Sequence, residues 1–170
     1  MLELAAGKGK TAGDSRQMVG LAAVQLGVNM RIITVDMAAD GFVQEQQQQV
    51  LINPRIVSSS EETEPGREGC WSCGDICGNV ERAQRVTVDA LDRKAKPLTL
   101  VASNFIARII QHEVDHLDGI RFPDRIPESE PRRLHLVKPD QFENYRKEWQ
   151  NWPILCPREQ WFAMRDGDRG

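Results

Sequence analysis

The sequence predicts an α+β fold in which antiparallel or mixed β-strands surround one central helix. Short segments rich in β-branched residues alternate with turns between residues 31 and 101, and a strongly amphipathic segment follows at 103–118. The chain has 170 residues, of which 40% are hydrophobic and 28% charged, so it is long enough and apolar enough to bury its own core. We therefore expect one globular domain of mixed structure.

Strands are predicted where β-branched residues cluster or alternate with polar ones. The predicted strands are residues 31–37 (RIITVDM), 50–57 (VLINPRIV), 84–91 (QRVTVDAL) and 97–101 (PLTLV). Pro54 requires an edge position or a bulge in the second strand, because proline has no amide hydrogen to donate to a neighbouring strand. Residues 92–94 are expected to form a hairpin turn, and the acidic residues 58–67 are expected to be a turn-rich segment.

The segment at 103–118 has the features of a well-bounded helix. Ser103 is a favourable N-cap, and Gly119 is favourable just after the C-terminus. A buried face is predicted for Phe105, Ile109, His112 and His116, with Glu113 on the neighbouring row. The opposite row, which consists of Arg108, Gln111, Asp115 and Asp118, is predicted to be a polar, solvent-facing stripe. Two histidines and a glutamate on a buried face are unusual for core packing.

Charge and hydropathy exclude several classes of protein. The net charge of −3 argues against general nucleic-acid binding, which needs an excess of lysine and arginine. No apolar run approaches the roughly 20 residues that a membrane-spanning helix requires. The first 17 residues lack the apolar stretch of a secretory signal, so a cytoplasmic location is expected.

The segment His112–His116 (HEVDH) carries the strongest chemical signal. Histidines four residues apart on a helix project from the same face, so both imidazoles can reach one metal ion. Glu113 lies beside them, where it can take a proton from a water molecule on the metal. Three polar groups on an apolar face need partners or a metal, which favours a metal site.

The third protein ligand is not identified by this motif alone. A longer zinc-protease motif requires a histidine where Phe122 stands. The downstream candidates Glu128, Glu130, Glu143 and Glu148 lie in a Pro-rich tail that offers no long helix close enough to present them. A thiolate from the cysteine cluster, which consists of Cys70, Cys73 and Cys77, is therefore the more attractive ligand. The cysteines also permit another interpretation, in which Cys156 joins the cluster in an iron–sulfur or structural zinc site.

Three segments, taken in order, resemble the motifs of the peptide deformylase family. They are GLAAVQ at 20–25, EGCWS at 68–72 and QHEVDH at 111–116. The resemblance spans about residues 18–126. It implies a deformylase-like catalytic domain at 1–127 with a shortened N-terminus. The Pro- and Trp-rich extension at 128–170 has no counterpart in the family, and its tryptophans indicate that it packs on the same domain. One further helix is expected at about 140–150.

The resemblance implies a metal centre and a proton-transfer group. Cys70, His112 and His116 would bind the metal, with water as the fourth ligand. Glu113 would act first as the general base and then as the acid toward the leaving amine. One divalent ion is implied, Fe(II) in cells, with Zn, Ni or Co able to substitute.

The resemblance also implies how the substrate is held. The side-chain amide of Gln25 and the backbone N–H of Trp71 would bind the formyl oxygen as it becomes an oxyanion. Gly20 would hydrogen-bond the substrate backbone, while Val19 and Ile109 would line the pocket for the methionine side chain.

The function implied is a metal-dependent hydrolase that removes the N-formyl group from formylmethionyl peptides or nascent proteins. A transient ribosome contact and a homodimer are further expectations, with no membrane and no specific nucleic acid as partners.

The chain departs from the family pattern at several positions. Met18 stands where the family has glycine, Val24 where it has proline, and Trp71 where it has a smaller aliphatic residue. Only 17 residues precede Met18, the position at which the family's first motif opens, and the family usually has about 40. Two alternatives therefore stay open: a hydrolase of the same fold that acts on another formylated or small amide substrate, and a non-catalytic metal-binding relative.

Overall fold

The computed structural model describes residues 18–39 and 47–167, which form two compact units. The first unit comprises residues 18–39, 47–64 and 82–120, and the second comprises 65–81 and 121–167. The prediction of a shortened N-terminus concerns residues 1–17, which lie outside the described residues. The predicted division at residue 127 into a catalytic domain and an extension stays a prediction.

The strands of the described residues pair into two sheets. They are β1 (Gly20–Ala22), β2 (Ile32–Asp36), β3 (Gln48–Ser59), β4 (Thr63–Gly69), β5 (Ile76–Ala83), β6 (Arg85–Leu91), β7 (Pro97–Ser103) and β8 (Leu134–Leu136). One sheet has the order β1-β2-β3-β6-β7 with antiparallel neighbours, and the other has the order β4-β5-β8. With the helices described below, these sheets confirm the predicted α+β class.

The four predicted strands are confirmed with small shifts at their ends. The prediction that the acidic segment is rich in turns is wrong for most of its length. Residues 58–67 were expected to be turn-rich, whereas only the stretch between β3 and β4 is a turn and Thr63–Gly69 is a strand. The sequence TEPGREG has little intrinsic preference for a strand. Its extended conformation follows from pairing in the second sheet, which is a tertiary effect.

Pro54 lies at a bulge, as predicted from its missing amide hydrogen. β3 is an interior strand, between β2 and β6, and its register with β6 shifts between Ile52 and Arg55. Asn53 has a positive φ of 51° next to the proline. The bulge lets an interior strand contain a residue that cannot complete the hydrogen-bond ladder.

The helix α1 (Asn104–Leu117) packs on the five-stranded sheet. It ends at Asp118, and Gly119 adopts the left-handed conformation with a φ of +73°, which suits a glycine after a helix. Ser103 has extended backbone but its side chain makes no capping hydrogen bond. The helix contributes Ile106, Ile109, Ile110 and Val114 to a core that contains Ile33, Val35, Leu51, Val86 and Val88 from the sheet.

The predicted polar stripe of α1 is wrong in two of its four positions. Arg108 and Asp115 are buried, with 4% and 5% of their surface exposed. Asp115 accepts a hydrogen bond from Arg82 of β5 (Nη1–Oδ2 2.6 Å), and Arg108 donates to the carbonyl of Glu64 (2.8 Å). These partners come from segments distant in sequence, so the helical pattern alone did not reveal them.

The second unit builds its own cores around aromatic residues. It contains α2 (Phe142–Glu148), which confirms the helix expected at 140–150, and α3 (Arg158–Gly167), which was not predicted. Trp161 is fully buried and donates from Nε1 to Asp124 (3.0 Å). In a second cluster, buried His135 contacts the Tyr145 hydroxyl through Nδ1 (3.1 Å), and desolvation lowers the pKa of His135. Among the helices of the described residues, none is long and apolar enough to cross a membrane.

The buried Arg82–Asp115 pair provides a stability prediction. Asp115→Asn removes one charge and leaves the Arg82 guanidinium buried beside a neutral amide, so the free energy of unfolding should fall by about 3–5 kcal/mol. Asp118→Asn is the matched control, because Asp118 pairs at the same 2.6 Å with Arg31 but both side chains are nearly half exposed. The control should lose less than about 1 kcal/mol. Urea unfolding of both variants measures the difference, and equal losses would contradict the prediction.

Candidate functional site

The two histidines of the HEVDH motif lie one helical turn apart near the C-terminal end of α1. The ring centroids of His112 and His116 are 4.9 Å apart, with the ring planes inclined at 80°. His116 is buried and His112 is partly buried. The four-residue spacing therefore brings both imidazoles together on one side of the helix, as the sequence predicted.

Cys70 lies where β4 gives way to a short 3-10 turn, Trp71–Cys73. Its backbone is extended, and its carbonyl accepts a hydrogen bond from the N–H of Cys73 (2.9 Å). The side chains of Cys70 and Cys73 are hydrogen-bonded to each other, and this bond together with burial raises the pKa of the Cys73 thiol. Cys70 retains 8% exposure, whereas Cys73 has none.

The structure brings together the three residues predicted as metal ligands. One potential ligand atom from each of Cys70, His112 and His116 lies within 4.8 Å of the other two. One sulfur and two imidazole nitrogens suit a tetrahedral divalent ion and leave a fourth position open, as catalytic rather than structural sites do. These residues form a candidate metal site. Among the described residues, no group of three cysteines is close enough to share a metal, so the cysteine-only alternative gains no support.

Glu113 lies on the same helix and is packed against Gly20. A Cβ atom added to Gly20 would be 2.6 Å from Glu113 Oε1 and 2.7 Å from Ile109 Cγ2. Real Cβ atoms are essentially never that close to another heavy atom, so the absence of a side chain at residue 20 is what allows this contact. Glu113 is only 5% exposed and Ile109 only 4%. Gly20, Ile109 and Glu113, predicted from separate motifs, are therefore neighbours in the first unit.

Gln25 lies in the 3-10 turn Ala23–Leu26 that follows β1. Its Oε1 accepts a hydrogen bond from the N–H of Ala22 (2.9 Å), which sets the orientation of the side-chain amide. The NH₂ group of that amide consequently points away from Ala22 and is the donor end of the side chain. Gly27 ends the turn with a φ of +73°.

The remaining predicted site residues lie at the ends of these elements. Val19 precedes β1, is partly buried against the core of the first unit, and accepts a hydrogen bond from the N–H of Asp36 (2.8 Å). Trp71 follows Cys70 directly, and its side chain is 48% exposed. It is therefore not a core residue of the second unit.

Two features near the site were missed by sequence reasoning. Gln111, next to His112, donates from Nε2 to the carbonyl of Ala83 (2.9 Å) and accepts at Oε1 from the N–H of the same residue (3.2 Å). Asp115, next to His116, forms the ion pair with Arg82. Both hold α1 to the end of β5. Their position inside the QHEVDH segment could have indicated these contacts. Polar residues that lie between metal ligands on a buried helix require hydrogen-bond or ion-pair partners.

A family model described as polypeptide deformylase matches residues 9–132 of the chain. The chain belongs to the polypeptide deformylase family. This confirms the resemblance inferred from the three motifs. The match covers most of the first unit as well as the segment that contains Cys70.

Individual members of the deformylase family agree with this assignment. A peptide deformylase of Natranaerobius thermophilus is 44% identical over 110 residues, which cover 65% of this chain and 67% of that protein. A peptide deformylase 2 of Vibrio cholerae is 45% identical over 121 residues, covering 71% and 69%. A crystal structure of a Synechococcus elongatus peptide deformylase in complex with actinonin is 39% identical, with a TM-score of 0.60, and covers 65% of this chain and 59% of that one.

A further solved structure contains a peptide. The class I type b peptide deformylase from Acinetobacter baumannii with Met-Ala-Ser bound is 41% identical to this chain, with a TM-score of 0.58, and covers 64% of this chain and 70% of that one. Several relatives are matched over less than two thirds of their own length, including that of Rhizobium meliloti at 61%.

Gly20 supplies a packing prediction for this deformylase-family site. Gly20→Ala should lower the free energy of unfolding by about 1–3 kcal/mol, because the added methyl group overlaps Glu113 and Ile109. Removing the Glu113 side chain should relieve part of the overlap. A double-mutant cycle of Gly20→Ala with Glu113→Ala, measured by urea unfolding, should give a combined loss smaller than the sum of the single losses. Strict additivity would mean that the two residues do not touch.

Proposed function

We propose that this chain hydrolyses the formyl amide of N-formylmethionyl peptides or nascent proteins. The observation that carries the proposal is the grouping of ligand atoms from Cys70, His112 and His116 on and beside a helix that also bears the buried carboxylate of Glu113. A purely structural metal site needs no proton acceptor at that place. Membership of the deformylase family and the Met-Ala-Ser complex of the Acinetobacter relative support the choice of substrate.

Cys70, His112 and His116 would hold one divalent ion. When bound, such an ion acts as a Lewis acid that makes a water molecule nucleophilic at neutral pH and polarises the formyl carbonyl. We propose Fe(II) as the ion used in cells, with Zn, Ni or Co able to replace it. The thiolate and imidazole ligand set is compatible with each of these metals.

Glu113 is proposed to move the proton. It would accept the proton of the attacking water and later deliver it to the nitrogen of the leaving amine. General acid–base catalysis of this kind typically contributes about 10²–10⁴-fold to a rate. The contact with Gly20 and Ile109 supports this role, because packing restricts the conformations of the carboxylate.

Gln25 and Trp71 are proposed to stabilise the negative charge that develops on the formyl oxygen. The hydrogen bond from Ala22 to Gln25 Oε1 orients the side-chain amide before substrate arrives. The backbone N–H of Trp71 would be the second donor. Donors held in place before the reaction stabilise the transition state without reorganisation, and loss of one such donor typically costs about 10²–10³-fold in kcat.

The methionine end of the substrate is proposed to lie against the first unit. Gly20 would hydrogen-bond the substrate backbone, and Val19 and Ile109 would line the pocket for the side chain. Burial of Ile109 and partial burial of Val19 fit an apolar pocket. A transient ribosome contact and a cytoplasmic location belong to the same proposal, because the proposed substrate is a newly synthesised chain. A homodimer is proposed as well.

A second candidate is a deformylase-fold hydrolase that acts on another formylated or small amide substrate. The exposed indole of Trp71 beside Cys70 favours this second candidate, because a large side chain at that position would change the space available to a substrate. Rates for formyl-Met tripeptides and for small formamides, measured on the same metal-loaded preparation, separate the two. Faster turnover of the small amides would favour the second candidate.

The ligand assignment predicts the metal content of variants. The parent should bind one divalent ion per chain, and Cys70→Ala should lose most of it, since this removes the thiolate of the proposed set. Cys77→Ala is the control and should keep the metal. Metal analysis after gel filtration makes the measurement. Retention of metal by Cys70→Ala together with its loss from Cys77→Ala would overturn the assignment.

The proton-transfer role predicts a separation of binding from catalysis. Glu113→Ala should retain the metal but lose about 10²–10⁴-fold in kcat for a formyl-Met tripeptide. Asp118→Asn, which changes an exposed acidic residue directly after the same helix, serves as the control and should keep the parent rate. A Glu113→Ala variant that turns over at the parent rate would exclude this residue as the base.

A further inference from the structure

Cys73 is a second thiol in contact with the proposed metal ligand Cys70. Both lie in the segment Cys70–Trp71–Ser72–Cys73, where the two sulfur-bearing side chains are hydrogen-bonded to each other. Nothing in the proposed hydrolysis uses Cys73. A fully buried thiol packed against a reactive one requires its own explanation.

The backbone between the two cysteines forms a turn that brings their Cα atoms within the range of a disulfide. The N–H of Cys73 donates to the carbonyl of Cys70 (2.9 Å), which closes a four-residue turn. The Cα atoms at the ends of such a turn lie less than about 7 Å apart. Disulfides join Cα atoms separated by about 4.4–6.8 Å. The turn therefore brings the two cysteines into range without a rearrangement of distant parts of the chain.

We propose that Cys73 is the resolving thiol for Cys70 and forms a reversible disulfide with it when Cys70 is oxidised. The proposal rests on the proposed function in one respect, namely that Cys70 is a metal ligand. The disulfide would turn the metal site off and protect Cys70 from irreversible oxidation.

The chemistry requires an oxidant, for which we name hydrogen peroxide. The Cys70 sulfur attacks one peroxide oxygen, the O–O bond breaks, and a sulfenic acid forms with release of one water. The Cys73 sulfur then attacks the Cys70 sulfur. An S–S bond forms, the S–O bond breaks, and the leaving hydroxide takes the Cys73 proton as a second water. Overall, two thiols and one peroxide give one disulfide and two waters.

The exposures of the two cysteines fit these roles. Cys70 has 8% of its surface exposed and Cys73 has none, so a small oxidant would meet Cys70 first and Cys73 would react only within the chain. A disulfide sulfur is no longer a thiolate ligand, so oxidation would release the metal, and a thiol reductant would restore the site.

The other two cysteines provide controls. Cys77 packs in a separate cluster with Val137 and Tyr145. Cys156 shares a cluster with Cys70 and Cys73, but its thiol hydrogen-bonds to the carbonyl of Pro157 (3.5 Å), and burial raises its pKa to about 11. Neither is in the turn that brings Cys70 and Cys73 together.

The test oxidises the full-length, zinc-loaded protein with a small excess of hydrogen peroxide. Zinc release is followed with a chromogenic chelator, free thiols are alkylated, and disulfides are mapped by peptide mass spectrometry before and after treatment with dithiothreitol. The parent, Cys77→Ala and Cys156→Ala should each form the Cys70–Cys73 disulfide, release zinc and rebind it after reduction. Cys73→Ala and Cys73→Val, checked for folding by circular dichroism, should instead convert Cys70 to sulfinic or sulfonic acid and fail to recover zinc binding.

Two results would overturn the proposal. One is a map in which Cys70 pairs with Cys77 or Cys156, or with no cysteine. The other is equal recovery of zinc binding after reduction in the parent and in both Cys73 variants. The mapping does not depend on activity. If the disulfide forms in a protein that hydrolyses no formyl peptide, the proposed function is rejected and this inference is retained. If the protein hydrolyses formyl peptides but forms no Cys70–Cys73 disulfide, this inference is rejected and the proposed function is retained.

Discussion

The burial of α1 is the constraint on which the first unit depends. This helix presents isoleucines to the sheet but also carries charged and polar side chains, and two of the residues predicted to face solvent are buried instead. A buried charge or amide without a partner destabilises a protein by several kcal/mol. Each of these polar side chains has a partner. Asp115 pairs with Arg82, Gln111 donates to the Ala83 carbonyl, and Arg108 donates to the Glu64 carbonyl. The end of β5 is consequently joined to α1 by polar contacts.

These contacts have a direct consequence for the chemistry. Gln111 and Asp115 are sequence neighbours of His112 and His116, so the groups that hold α1 in place also limit its rotation and translation. Histidines that share a metal must keep their relative orientation to within a small tolerance. The site is thus supported by hydrogen bonds to the backbone and by a buried ion pair, in addition to the apolar core.

The cysteine turn illustrates a conflict between reactivity and durability. A thiolate ligand at an open metal site is exposed to oxidants, and oxidation beyond the sulfenic acid is irreversible in most settings. Under the proposal, a neighbouring thiol held in a tight turn would divert the sulfenic acid to a reversible disulfide. The second unit surrounds this turn with Ile76, Phe122 and Trp161, so the local conformation is maintained by a core that includes the residues after the third motif.

Features that depend on local periodicity and local chemistry could be predicted from the amino-acid sequence. The spacing of His112 and His116, the helix end at Gly119 and the bulge at Pro54 all follow from interactions within a few residues. The three ordered motifs were also sufficient to identify the family, because the second and third are nearly complete and the first departs from the family pattern only at Met18 and Val24.

Three other features depend on how distant parts of the chain pack. They are the burial of particular polar residues, the formation of strands by segments of low strand preference, and the contacts between thiols. Thr63–Gly69 is a strand because other strands pair with it, and Asp115 is buried because Arg82 reaches it from 33 residues away. Gly20 is required because a carboxylate on a distant helix occupies the space where its side chain would be. Each of these depends on a partner distant in sequence, and the identity of that partner is set by how the whole chain packs.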